Sequence, residues 1–156
     1  MSGSQRNLVV LSCAAALATA LGASTASAQS TNCYATIKSP TQGNGVANTG
    51  AVQGYSNASG NIAVWVFTHR KGIQDWWPQG GGPVSGNGDW SAQVTFGTPR
   101  EAGQPFEIAV VPVDLRTNEG LAGWTARSVE YAEFPGIPLP HPAAGCRYNI
   151  VEVRRQ

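Results

Sequence analysis

The residues of this chain best suited to ligand chemistry gather around one adjacent pair of tryptophans. Trp76 and Trp77 are followed by Gln79, the loop Gly80-Gly81-Gly82, and then Asn87 and Asp89. Adjacent residues on a strand point to opposite faces, so one of the two indoles is expected to face outward. An outward indole can stack on a sugar ring while Gln79, Asn87 and Asp89 hydrogen-bond its hydroxyls; equally, segment 117–142 can cover it. Trp65 and Trp90 have apolar strand neighbours and are expected in the core. Asp75 and Asp89 are able to face each other across loops, or to join Asn87 as a weak Ca²⁺ site, but no spacing fixes their distance. His69 ends an apolar run before Arg70-Lys71, where a strand meets solvent, and His141 is embedded in prolines. Neither lies in a recognisable motif and no nucleophile elbow is present. No catalytic residue, metal ligand or cofactor is assigned.

The next chemistry is in the cysteines and the first twenty-eight residues. Arg6 gives a short positive region, Leu8 to Gly22 an apolar one, and Ala26-Ser27-Ala28 places small residues before Gln29. That is the pattern of a secretory signal peptide cleaved between Ala28 and Gln29. The apolar run is too short to span a bilayer, and no later run approaches the length required. Cys13 follows Val10-Leu11-Ser12, a poor approach to a lipid-attachment cysteine, and is expected to leave with the signal. Cys33 and Cys146 remain. In an oxidising compartment they are expected to form a disulfide enclosing nearly the whole domain. Asn57-Ala58-Ser59 matches the glycosylation acceptor, which matters only in a eukaryotic host.

Composition narrows the partner. Residues 29–156 have the size of one domain with one core. Without Arg6, nine Lys and Arg balance nine Asp and Glu. A neutral chain offers no basic face for nucleic acid and no polybasic patch for anionic lipid. The expectation is a secreted or periplasmic monomer that meets an extracellular protein or polysaccharide.

These residues must be positioned by short strands, since 19 Gly and 10 Pro suit turns better than helices. Strands are read at Tyr34 to Lys38 and Ala51 to Tyr55. Ile62 to His69, apolar on both faces, should be central. Asp75 to Gln79 can only be a short edge, because Pro78 cannot donate to a ladder. Trp90, Ala92, Val94 and Phe96 alternate with polar residues as one face of a half-buried strand. Phe106 to Asp114 and Tyr148 to Arg154 complete the set. Between them, Asn118 reads as an N-cap, with Leu121, Trp124, Ser128 and Tyr131 at helical spacing until Phe134-Pro135. Gly120 and Gly123 weaken that pattern, so a short helix or an irregular crossover is expected over 117–134, packed on the sheets by Leu121 and Trp124. The Pro-rich run 135–142 is an extended spacer. Together the segments describe an all-β, antiparallel β-sandwich with one crossover before the last strand.

The succession Ile37-Lys38-Ser39-Pro40, Val52-Gln53-Gly54, Val64-Trp65-Val66, Trp77-Pro78-Gln79, Gly88-Asp89-Trp90, Phe106 to Val111 and Val151-Glu152-Val153-Arg154 resembles small immunoglobulin-like modules of exported bacterial proteins. The resemblance runs over roughly 35–154. It implies an immunoglobulin-like fold and a non-catalytic extracellular accessory or binding role, with no particular ligand. In such a fold the first and last strands can run parallel as neighbours, which would bring Cys33 and Cys146 to the same end. The chain lacks the inter-sheet cysteine pair of antibody domains. Ser39-Pro40-Thr41-Gln42-Gly43 with Gly80-Gly81-Gly82 also resembles two loops of chagasin-like inhibitors of papain-type proteases, without the third, Arg-Pro-aromatic loop. A protease inhibitor is therefore a further alternative.

Overall fold

The computed structural model describes residues 32–156. The cleavage-site residues Ala26, Ala28 and Gln29 lie outside the described residues. Among these residues nine strands and one α-helix follow in order: β1 Cys33–Ser39, β2 Gly45–Val46, β3 Thr49–Asn57, β4 Ala63–Arg70, β5 Trp77–Pro78, β6 Asn87–Thr95, β7 Pro105–Val113, α1 Leu115–Tyr131, β8 Cys146–Arg147 and β9 Asn149–Arg155. They build a four-stranded sheet, β6-β3-β1-β8, and a five-stranded sheet, β2-β9-β7-β4-β5.

Both ends of the domain are divided between the sheets. The chain leaves β1 for β2 in the other sheet, and β8 hands over to β9 in the same way. Each division creates a parallel pairing, β1 with β8 and β2 with β9, among otherwise antiparallel ladders. The sheets are therefore mixed rather than antiparallel throughout. The parallel register sets Cys33 opposite Cys146, and the two are disulfide-bonded.

Strand alternation sorts the core. From the four-stranded sheet Ala35, Val52, Trp90, Ala92 and Val94 turn inward; from the five-stranded sheet Val64, Val66, Ile108, Val110 and Val153 meet them. Each large side chain removed from water in this layer stabilises the fold by about 1.5–3 kcal/mol. Gly54 is required there, because a Cβ would run into the Thr36 carbonyl and the Trp90 ring. The ring of Trp90 takes the place that a side chain on Gly54 would need.

β4 is buried on both faces, and a second cluster lies outside its sheet. Trp65, Phe67, Ala109, Val111 and Val113 point away from the other sheet and are covered by Leu121 of α1, Trp76, Ile137 and Leu139. The helix starts earlier than expected, at Leu115, and ends at Tyr131. Asp114 caps it, accepting the Thr117 N–H at 2.8 Å. Asn118 instead lies inside the helix, and its Oδ1 accepts the indole N–H of Trp65 at 2.8 Å. Trp65 is wholly buried, so its donor needs a partner at that point. Pro112 is tolerated in an interior strand because β7 pairs with β9 only as far as Val110.

Candidate functional site

Segment 74–79 lies along the edge of the five-stranded sheet, and its two indoles take different roles. Trp76 is 7% exposed and stacks on the His69 imidazole, with ring centroids 3.7 Å apart and planes at 12°. Its backbone exchanges two hydrogen bonds with Ile137, at 2.8 and 2.9 Å, which ties the Pro-rich segment to the sheet. Trp77, one residue on, is half-buried on the opposite side. Its indole N–H donates to the Phe134 carbonyl at 2.8 Å, and that of Trp124 donates to the Pro135 carbonyl at 3.1 Å. Gly136 permits this approach, since a Cβ there would stand 2.5 Å from the Asp75 Cβ.

The outcome is an aromatic patch on the surface. Trp124 meets the Phe134 ring edge to face at 6.2 Å. Phe134 is 57% exposed and Tyr131, in the last turn of α1, 64%. Both indole donors are satisfied internally, so the patch offers ring faces rather than N–H groups. Trp124 and Phe134 were not picked out by sequence as a site. The available signal was an aromatic at the helix end next to Pro135, a residue with no N–H to give.

The other expected site residues are not gathered here. Gln79 is part of the scaffold: its side chain donates to the Trp77 carbonyl and accepts the N–H of Thr95, at the end of β6. Asn87 and Asp89 lie at the opposite end of β6, in the other sheet. Asp89 pairs with Lys38 at 2.7 Å, so it does not face Asp75. Thus Trp76, Trp77 and Gln79 share one edge, while Asn87 and Asp89 belong to a second surface.

That second surface is the outer face of the four-stranded sheet. Lys38 Nζ stands 5.3 Å from the Tyr55 ring centroid, and Tyr34 lies 6.1 Å from Tyr55. Lys38, Gln53, Asp89 and Ser91 border a shallow depression of about 460 Å³ floored by the Gly54–Trp90 strand pair. Its charges are already mutually paired.

His69 does not end at solvent. It is 6% exposed beneath Trp76, with Nε2 2.7 Å from Glu107 Oε2 and no partner for Nδ1. Glu107 stands opposite Glu152 on β9, and Glu152 accepts from Lys71. That hydrogen bond first, and the Glu152 charge second, raise the Lys71 pKa. In the row His69–Glu107–Glu152–Lys71 each carboxylate already has a partner, while His69 Nδ1 has none. The inhibitor-like loops do not converge: 41–44 precedes β2 at one edge of the five-stranded sheet, and 80–82 follows β5 at the other.

No helix among the described residues is long and apolar enough to cross a membrane. No protein-family model matches the chain, and no curated protein matches it in sequence.

Proposed function

We propose that this chain is a secreted, non-catalytic binding module with an immunoglobulin-like sandwich fold, and that it meets its ligand through the patch of Trp77, Trp124 and Phe134. The observation that carries the reading is the patch itself. One exposed ring, Phe134, with two half-buried indoles anchored by their own hydrogen bonds on a disulfide-closed scaffold, presents the residue type that dominates binding surfaces. Two packed sheets, terminal strands divided between them and the parallel pairing of β1 with β8 support the immunoglobulin-like reading. Export rests on the signal pattern ending at Ala28, together with the bridge, which persists in oxidising compartments.

A polysaccharide ligand is the second reading, favoured by the half-open Trp77 ring beside the exposed Asp75 carboxylate. The test is retention of the secreted protein, whose N-terminus should be Gln29, on immobilised polysaccharides and extracellular proteins, with Phe134→Ala as the variant. Retention lost in the variant supports the patch. Turnover on a hydrolase panel, or retention indifferent to Phe134, would overturn the reading.

A further inference from the structure

We propose that the aromatic patch at the C-terminal end of α1 docks a basic, Arg- or Lys-bearing segment of a protein partner; this rests on the binding-module reading above. The argument is electrostatic. The carbonyl end of a helix carries negative partial charge, and basic residues in the last turn normally offset it. α1 has no basic residue there. Glu130 lies in that last turn, Glu133 just past it, and Asp75 borders the patch from the sheet side against Gly136. The four ion pairs among the described residues use Asp89, Glu107, Glu101 and Glu152, so none neutralises these three carboxylates. The nearest cation on the helix, Arg127, is a turn earlier, and its guanidinium lies toward Gly123.

For the free domain this is unfavourable at the helix end: Glu130 and Glu133 stand at its negative pole with no basic residue in the last turn. A basic segment relieves it. Its cations would meet Asp75, Glu130 and Glu133, and their side chains would lie over the faces of Trp77, Trp124 and Phe134, where a cation is attracted by the ring quadrupole. Their aliphatic stems would cover the apolar rings at the same time. A neutral sugar chain would use the rings and leave the charges unmet.

The test is a titration of the mature protein, followed by tryptophan fluorescence and calorimetry, with three probes. These are a short peptide alternating Arg and Leu, the same peptide with Gln for Arg, and a neutral glucan oligosaccharide. The Arg peptide is expected to bind, more weakly as salt rises. The Asp75→Asn/Glu130→Gln/Glu133→Gln variant should bind it about tenfold more weakly, as three exposed charge pairs imply. The same variant should melt higher than the parent, because it removes the repulsion at the helix end. Equal binding of the Gln peptide, unchanged affinity in the triple variant, a lower melting temperature, or binding of the oligosaccharide alone would overturn the basic-partner inference. Those outcomes leave the patch standing as a binding site if Phe134→Ala weakens whichever probe binds. If Phe134→Ala alters binding of no probe, both readings fall.

Discussion

Replacing Cys33 and Cys146 together should cost this domain most of its margin of stability. The bridge joins residues 113 apart. By chain-entropy reasoning, closing a loop of that length stabilises the fold by about 5 kcal/mol at 25 °C, acting through the unfolded chain. Little else holds that edge, because the β1–β8 ladder consists of Cys33 with Cys146 and Tyr34 with Arg147. Both cysteines are buried, so serine would add the penalty of orphaned hydroxyls, roughly 1 kcal/mol or more each. The double alanine variant avoids that penalty and isolates the crosslink. For a domain of about 125 residues, 1 kcal/mol moves the melting temperature by roughly 4 °C, which places the alanine variant about 20 °C below the parent. Calorimetry of both proteins, each checked by intact mass for its oxidation state, measures the difference. A depression smaller than about 5 °C would refute the entropic reasoning, because native packing at the strand ends would then be holding the termini.

Three further outcomes are expected. Asn118→Ala should cost about 1–3 kcal/mol in denaturant melts by orphaning the buried Trp65 donor; a loss confined to a few tenths would mean that this hydrogen bond is not formed. Gly54→Ala should destabilise by about 2 kcal/mol or more, since the added Cβ meets backbone and a packed ring, and a neutral result would show that β1 and the Trp90 ring can give way there. Hydrogen bonds from Thr117, the backbone one first, hold the Asp114 carboxyl below its ordinary value of 3.8. The stability it contributes is therefore present above that value and lost as pH falls through the lowered folded value. Asp114→Asn keeps a cap but does not titrate, so its melting curve should be flatter than the parent's on the acid limb; parallel limbs would refute the assignment.

What sequence could reveal here was local. The period-two pattern of β6 and the double-sided apolar run of β4 follow from which side chains can be buried on a pleated surface; β4 lies within one residue of its expected bounds, while β6 starts earlier than Trp90, at Asn87. The pairing of Cys33 with Cys146 was readable because each stands at the start of a strand that can run beside the other. The helix start was missed because only Asp114 separates α1 from the end of β7, leaving no loop, and two Asx residues compete to cap it. Asp114 wins because Asn118 is needed by Trp65. Grouping Asn87 and Asp89 with the tryptophans failed for a topological reason: between β5 and β6 the chain changes sheets, so neighbours in sequence come to lie on separate surfaces. His69 was unreadable as a buried residue, because its cover depends on Ile137, a partner of Trp76 sixty-one positions later in the chain.

The patch and the lid over the core share the same rings. The outer face of the five-stranded sheet buries Trp65, Phe67, Ala109, Val111 and Val113, yet α1 contributes only Leu121 and Ser128 as buried residues. The helix alone is too narrow a cover. Trp76, Ile137 and Leu139 complete it, so segment 134–142 must be held down on the sheet edge. Pro135 has no N–H to donate, and the Phe134 and Pro135 carbonyls are both taken by indole donors, from Trp77 and Trp124. Those two indoles anchor the lid and also form the surface patch, which couples stability to the proposed binding at Trp77 and Trp124. Removing either ring would loosen the lid as well as strip the surface. Phe134 is different: it gives its carbonyl to the anchor through the backbone, while its side chain is more than half exposed. Phe134→Ala keeps the anchoring carbonyl and deletes only the exposed ring, which makes it the substitution at which loss of binding and loss of fold can be told apart.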